Sequence, residues 1–191
     1  MSYHFKYSLT EDDFAEFNAY TTWYAPWQKK SRFNYMLRFA LYSILSYSAT
    51  IIILRQLDVS AKSDFSFLIS LSVVILIVFG FFSFYQAPFS IKNKARKFIN
   101  NEENKHILNE TDLEITDDGI ISSDKESQVQ LKWGSITKYV VTKEYFYLYT
   151  NSVQAQVIPK KLFSSQQEIN EFDKFLTEKI PLSSSFRSMR I

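Results

Sequence analysis

No cysteine occurs among the 191 residues. That excludes a disulfide scaffold, a thiol nucleophile and a zinc-thiolate site. Glycine is nearly as scarce, with Gly80, Gly119 and Gly134 alone, so no glycine-rich phosphate loop and no Gly-x-Ser-x-Gly elbow can be built. The two histidines, His4 and His106, stand apart, each without a metal-ligand neighbour at helical or strand spacing. Four prolines and a 17% aromatic content exclude a disordered chain. The remaining averages are ordinary: net charge +2, 46% hydrophobic and 22% charged residues. That much polar sequence excludes a polytopic transporter.

Charge is missing locally. Between Tyr35 and Leu54 the only charged residue is Arg38, and between Phe65 and Ile91 there is none. A helix rises about 1.5 Å per residue and a bilayer core is about 30 Å thick, so about 20 apolar residues suffice to cross. Two transmembrane helices are expected, over 35–54 and 65–88, joined by a short external connector over 55–64. Arg38 lies in the first turn, where it can reach the headgroups. The first run starts too far into the chain, behind an acidic aromatic segment, to read as a cleavable signal. Lys29, Lys30, Arg32 and Arg38 flank the first run, and Lys92, Lys94, Arg96 and Lys97 follow the second; the connector is neutral. The positive-inside rule then places both termini in the cytoplasm. Trp23, Tyr24, Trp27, Phe84 and Tyr85 suit an interfacial aromatic belt. Pro88 is expected to end or kink the second helix. Ser46 and Thr50, four apart, are a weak candidate for close helix approach.

The flanking pieces read as cytoplasmic. In 1–34, the alternation Phe5-Lys-Tyr-Ser-Leu9 predicts a strand, and Thr10-Glu-Asp-Asp13 predicts a capped helix start with Phe14, Phe17, Thr21 and Tyr24 at helical spacing. Residues 89–106 read as a basic juxtamembrane helix or linker. Its cations either hold anionic headgroups or merely set topology. From 107 the period becomes two. Leu113 and Ile115, Val129 and Leu131, and Phe146 and Leu148 mark alternating strands, with a tight turn at Asp117-Asp-Gly119. Six short strands result. Ser165-Gln-Gln-Glu168 is a capping box opening a helix with the stripe Ile169, Phe172, Leu176 and Ile180. The domain over 107–181 is followed by a Ser-rich tail, 182–191.

The expected fold is α+β. A two-helix transmembrane hairpin carries a small antiparallel β-barrel or sheet with a closing C-terminal helix, pleckstrin-homology-like in outline. Such a domain wants seven strands, and Phe5–Leu9 is the candidate for the missing one.

These residues, in this order, resemble a known family. Leu9-Thr-Glu-Asp-Asp-Phe14 with Phe17-Asn18 precedes the two apolar runs; Asp117-Asp-Gly-Ile120, Trp133-Gly-Ser-Ile136 and Ile158-Pro-Lys-Lys-Leu-Phe163-Ser follow them. The pattern is similar to the YcxB-like bacterial membrane proteins, whose pattern usually has Arg where Lys161 stands. The resemblance implies a two-span protein of the bacterial cytoplasmic (inner) membrane with a pleckstrin-homology-like C-terminal domain, and it implies no reaction.

Chemistry is sparse. Asp117 and Asp118 are paired carboxylates, but they sit where a turn favours them. The apolar runs hold no Asp, Glu, Lys or His, which argues against an ion path. No catalytic, metal or cofactor-binding residue is expected, and no cofactor. Trp133 reads as a core anchor. Lys160 and Lys161 read either as a phosphate or acidic-partner site or as a solvated turn. Tyr145, Tyr147 and Tyr149 share one strand face; the stripe is the candidate protein-binding or oligomer surface, or it packs on the N-terminal segment. The expected function is a non-enzymatic, membrane-anchored binding or regulatory module. Its expected partners are the lipid bilayer and a protein or second copy, with no nucleic acid. A membrane-interface enzyme acting on lipid or envelope substrates is the alternative.

Overall fold

The computed structural model describes residues 2–56 and 62–180. Half of the expected connector (57–61 of 55–64) and the whole 182–191 tail lie outside them. The architecture is α+β, and it divides into two compact units.

The first unit joins residues 1–18 to residues 94–191, leaving out everything between. Strand β1 (Tyr3–Tyr7) pairs antiparallel with β2 (Thr111–Ile115), Tyr3 opposite Ile115 and Tyr7 opposite Thr111. Strands β3 (Gly119–Ser123) and β4 (Gln128–Lys132) extend the sheet in the order β1-β2-β3-β4. A 3₁₀ turn over Trp133–Ser135 then breaks the meander. Strands β5 (Lys138–Val141), β6 (Tyr145–Tyr149) and β7 (Ala155–Pro159) form a second sheet. Among the described residues the seven strands therefore make two sheets of four and three, with no closed barrel. The expected barrel is corrected here: the turn at Gly134 takes the chain away from β4 before β5 begins. On the other side the sheets are tied by side chains. The buried Tyr7 hydroxyl donates to the Val157 carbonyl at 2.6 Å and accepts from Gln156 at 3.0 Å.

Gly119 is required at its turn. Its φ is +158°, and a Cβ there would meet the Leu131 carbonyl oxygen at 2.2 Å.

Helix α1 (Glu11–Ala19) starts at the predicted capping box: the Asp13 amide donates to Thr10 Oγ1 at 3.1 Å and the Thr10 amide to Asp13 Oδ2 at 2.9 Å. The last helix, α4 (Gln166–Lys179 in the order used here), starts at Ser165, whose hydroxyl accepts from the Glu168 amide at 3.2 Å. Its stripe packs onto the sheets, with Phe172, Leu176 and Ile180 at 0–1% exposure. Phe172 meets Tyr3, Phe146 and Phe163 at 4.8–5.1 Å between ring centres. Trp133 is the core anchor expected of it: its ring is edge-on to Phe175 at 5.7 Å and its Nε1 donates to the Thr116 carbonyl at 3.1 Å.

The second unit, residues 19–93, is dominated by two long helices. Helix α2 covers Lys29–Gln56 and α3 starts at Lys62 and runs without interruption to Ile99. Pro88 lies inside α3 rather than ending it. Proline removes one N–H bond, and a helix this long continues past that single loss. The basic segment that follows Pro88 is thus the same helix up to Ile99, and a 3₁₀ turn over Glu102–Leu108 follows. Both helices are long and apolar enough to span a membrane, with mean hydropathies of 1.5 and 1.9 over their most apolar windows, and none of either window is buried. In the apolar stretches, half-buried positions recur at Phe39, Ser43, Tyr47 and Ile51 on α2 and at Ser72, Leu76 and Gly80 on α3. Those four-residue steps form the seam between the helices. Ser46 and Thr50 are exposed instead, so they do not mediate helix approach within the hairpin. Thr50 spends its hydroxyl on the Ser46 carbonyl at 2.9 Å.

Candidate functional site

The second sheet is covered on both faces, and that decides the fate of the tyrosine stripe. Phe146 and Leu148 point into the core shared with α4. Tyr145, Tyr147 and Tyr149 lie on the opposite face, under α1. The Phe17 ring meets Tyr147 at 5.4 Å and Tyr149 at 6.2 Å. Tyr147 and Tyr149 are 1% and 0% exposed. The stripe is therefore no open interaction surface; it is an internal one, and the N-terminal segment occupies it.

Asp13 is the polar centre of this contact. It is 6% exposed, and its carboxylate accepts from the Tyr145 hydroxyl at 2.6 Å, the Thr10 amide at 2.9 Å and Lys161 Nζ at 3.2 Å. Burial alone would push the Asp13 pKa up. The hydrogen bonds from Tyr145, Thr10 and Lys161 outweigh it and hold the carboxyl below its ordinary value. Burial and the adjacent Asp13 charge raise the Tyr145 phenol, so the pair rests as carboxylate and neutral phenol. The other face of α1 meets residues 94–100: Arg96 binds Asp12 at 2.8 Å, Asn100 donates to Glu11 at 3.0 Å, and Phe14 stacks on Phe98 at 6.2 Å.

The two lysines after β7 separate. Lys161 reaches Asp13, while Lys160 donates to the Thr142 carbonyl and lies over the Phe146 ring at 5.1 Å. Both have structural partners.

The basic flanks are also unequal. In the second unit Lys29, Lys30 and Arg38 are exposed and Lys92 is half-buried, whereas Arg32 donates to the carbonyls of Trp23 and Ala25. That bond turns the segment before α2 back on the hairpin, so that Trp23 packs on Tyr35 at 5.5 Å and Phe84 at 5.1 Å. In the first unit Lys94 and Lys97 are exposed and Arg96 is paired with Asp12. His4 and His106 bond Asp112 and the Glu103 carbonyl at 2.6 and 2.8 Å. Among the described residues no group of three His, Asp or Glu is placed to hold a metal ion. Sequence reasoning missed Asp13 as more than a helix cap. Its signal was faint: an aspartate at the third helical position, where glutamate is the better box partner.

No curated protein and no solved structure matches the chain. Residues 115–176, from the end of β2 into the last turns of α4, match the family model described as YcxB-like protein, and the chain accordingly carries a YcxB-like domain.

Proposed function

We propose that the protein is a non-enzymatic, membrane-anchored binding or regulatory module. Its hairpin crosses the bacterial cytoplasmic membrane with both termini inside, and its first unit is a pleckstrin-homology-like domain. The observation that carries the reading is the surface of α2 and α3. Leu37, Leu41, Leu45, Ile53, Val74, Ile77, Val78 and Phe82 are all about half exposed or more, which is intolerable in water and natural in lipid. Seven strands in two sheets beside a C-terminal helix support the pleckstrin-homology-like outline. Since the tyrosine face is occupied, the surface offered to a protein partner is the outer edge of β4, where Gln128, Val129 and Gln130 are exposed. Anchoring would raise the concentration of that domain at its membrane partners.

Alkaline carbonate extraction of membranes tests the anchor: the protein should stay in the pellet. Cysteines introduced as Ser60→Cys and Ser184→Cys should label from opposite sides, the first from outside. Labelling of both from outside refutes the orientation. Crosslinking from native membranes should give a recurrent protein partner through Val129→Cys. A lone chain that turns over a lipid substrate would establish the enzyme reading instead.

A further inference from the structure

The two helices of the hairpin touch closely at one level and part beside it. At Gly80 an added Cβ would lie 2.3 Å from the Phe39 ring, so the backbone of α3 sits directly against that side chain. Alongside this contact runs an apolar cleft of about 520 Å³, reaching from Tyr35 to Tyr47 on α2 and from Tyr85 to Val73 on α3. Met36, Ala40 and Ile44, one helical turn apart, form one wall, with Ile77 and Phe81 on the other. Ala40 makes the hollow, because it places a methyl group between two long side chains.

We propose that this cleft seats one acyl chain of an anionic phospholipid. The inference rests on the membrane reading above.

Length, lining and charge each favour that occupant. Twelve residues at about 1.5 Å give a cleft about 18 Å long, close to the depth of one leaflet, which is half of about 30 Å. The lining is almost wholly apolar from one end to the other, with Ser43 and tyrosine hydroxyls its polar groups, which suits a polymethylene chain. The cleft reaches the basic end of the hairpin, where the tyrosines Tyr35 and Tyr85 stand and Trp23 packs edge-on to Tyr35. Lys29, Lys30, Arg32, Arg38 and Lys92 belong to this end, and the sequence has no Asp or Glu in 19–57 or 65–93. Arg32 is spent on backbone carbonyls and Arg38 lies across α2 from the wall formed by Met36, Ala40 and Ile44, which leaves the exposed Lys29 and Lys30 to meet a phosphate.

The test uses the full chain, purified in mild detergent with an equal mixture of phosphatidylglycerol and phosphatidylcholine, and native mass spectrometry. Wild type should retain one phosphatidylglycerol per chain. Ala40→Trp, which fills the hollow, should lose it, as should Ile77→Trp from the opposite wall. Ala49→Trp, outside the cleft, should keep it. Replacing Lys29 and Lys30 by Gln should cut the preference for phosphatidylglycerol by at least about fivefold while a lipid is still retained. Wild type without a retained lipid, or filled variants that retain it unchanged, would overturn the proposal. So would a dimer that Ala40→Trp abolishes. A protein that stays monodisperse without detergent or lipid would instead sink the membrane reading itself.

Discussion

Replacing Asp13 should loosen the N-terminal segment far more than a surface carboxylate would. Three contributions are lost in Asp13→Ala. The 2.6 Å bond from Tyr145 is charge-assisted and largely sheltered, which sets its worth at about 1.5–3 kcal/mol. The capping box adds about 1 kcal/mol. Lys161, with 59% of its side chain exposed, adds no more than about 0.5 kcal/mol. The total is about 2.5–4.5 kcal/mol, a large share of the stability of a unit this size. Denaturant unfolding of the full chain in detergent, followed through the near-ultraviolet signal, measures it. Hydrogen exchange at the α1 amides should rise in parallel. Tyr145→Phe should cost about 1.5–3 kcal/mol alone, and the double variant should show that most of this overlaps with the loss at Asp13. A coupling below about 0.5 kcal/mol would refute the account of Asp13 as the polar anchor. Acid provides a second check. The folded-state pKa of Asp13 is lowered, so its contribution is complete above the unfolded value near 3.8 and is lost as pH falls through the lower folded value. Asp13→Asn removes that titration and should flatten the acid limb.

Gly119→Ala should destabilise the first unit by about 1–3 kcal/mol, because it combines a positive φ with a clash against the Leu131 carbonyl; an unchanged melting temperature would contradict this. Trp133→Ala should cost about 3–5 kcal/mol, since it empties core volume beside Phe175 and leaves the Thr116 carbonyl without its indole donor. Trp133→Phe should recover part of that loss. Deleting residues 2–18 removes β1 from the edge of its sheet and uncovers Tyr147 and Tyr149. The remaining domain should become protease-sensitive and prone to self-association, and equal protease resistance would show that the segment is dispensable. Gly80→Leu should push the hairpin helices apart at Phe39, read as a longer distance between spin labels at positions 43 and 76.

Local signals carried most of the architecture. Thr10 and Asp13, like Ser165 and Glu168, announce helix starts because a capping box is written within four residues. Leu113 and Ile115 announce a strand because one of its faces is wetter than the other. β6 defeats that logic. In Tyr-Phe-Tyr-Leu-Tyr both faces are buried, and the tyrosine side chain is amphipathic enough to suit either a covered or an open surface. What covers it, Phe17, lies about 130 positions away, and no periodicity reports on that distance. The same holds for Lys161 and Asp13, and for Tyr7 and Val157. Of the two outcomes expected at Pro88, an end to the helix does not occur: the steric rule for proline is a penalty, and α3 has enough remaining bonds on both sides to continue through it.

Because β1 belongs to the sheet of β2 while residues 19–93 intervene, the first unit cannot finish folding in the order in which it is made. The N-terminal strand and helix leave the ribosome first and have no sheet to join. They wait, with the aromatic side chains of β1 and α1 uncovered, while the two apolar helices are synthesised. Only after α4 has emerged is the partner surface complete. Loop closure over this separation is slow, and an exposed strand edge is a hazard throughout the delay. On the proposed membrane reading, insertion of the two helices would become a timing step for the first unit: a chain whose helices are held up before a bilayer would also hold apart the two halves of that unit.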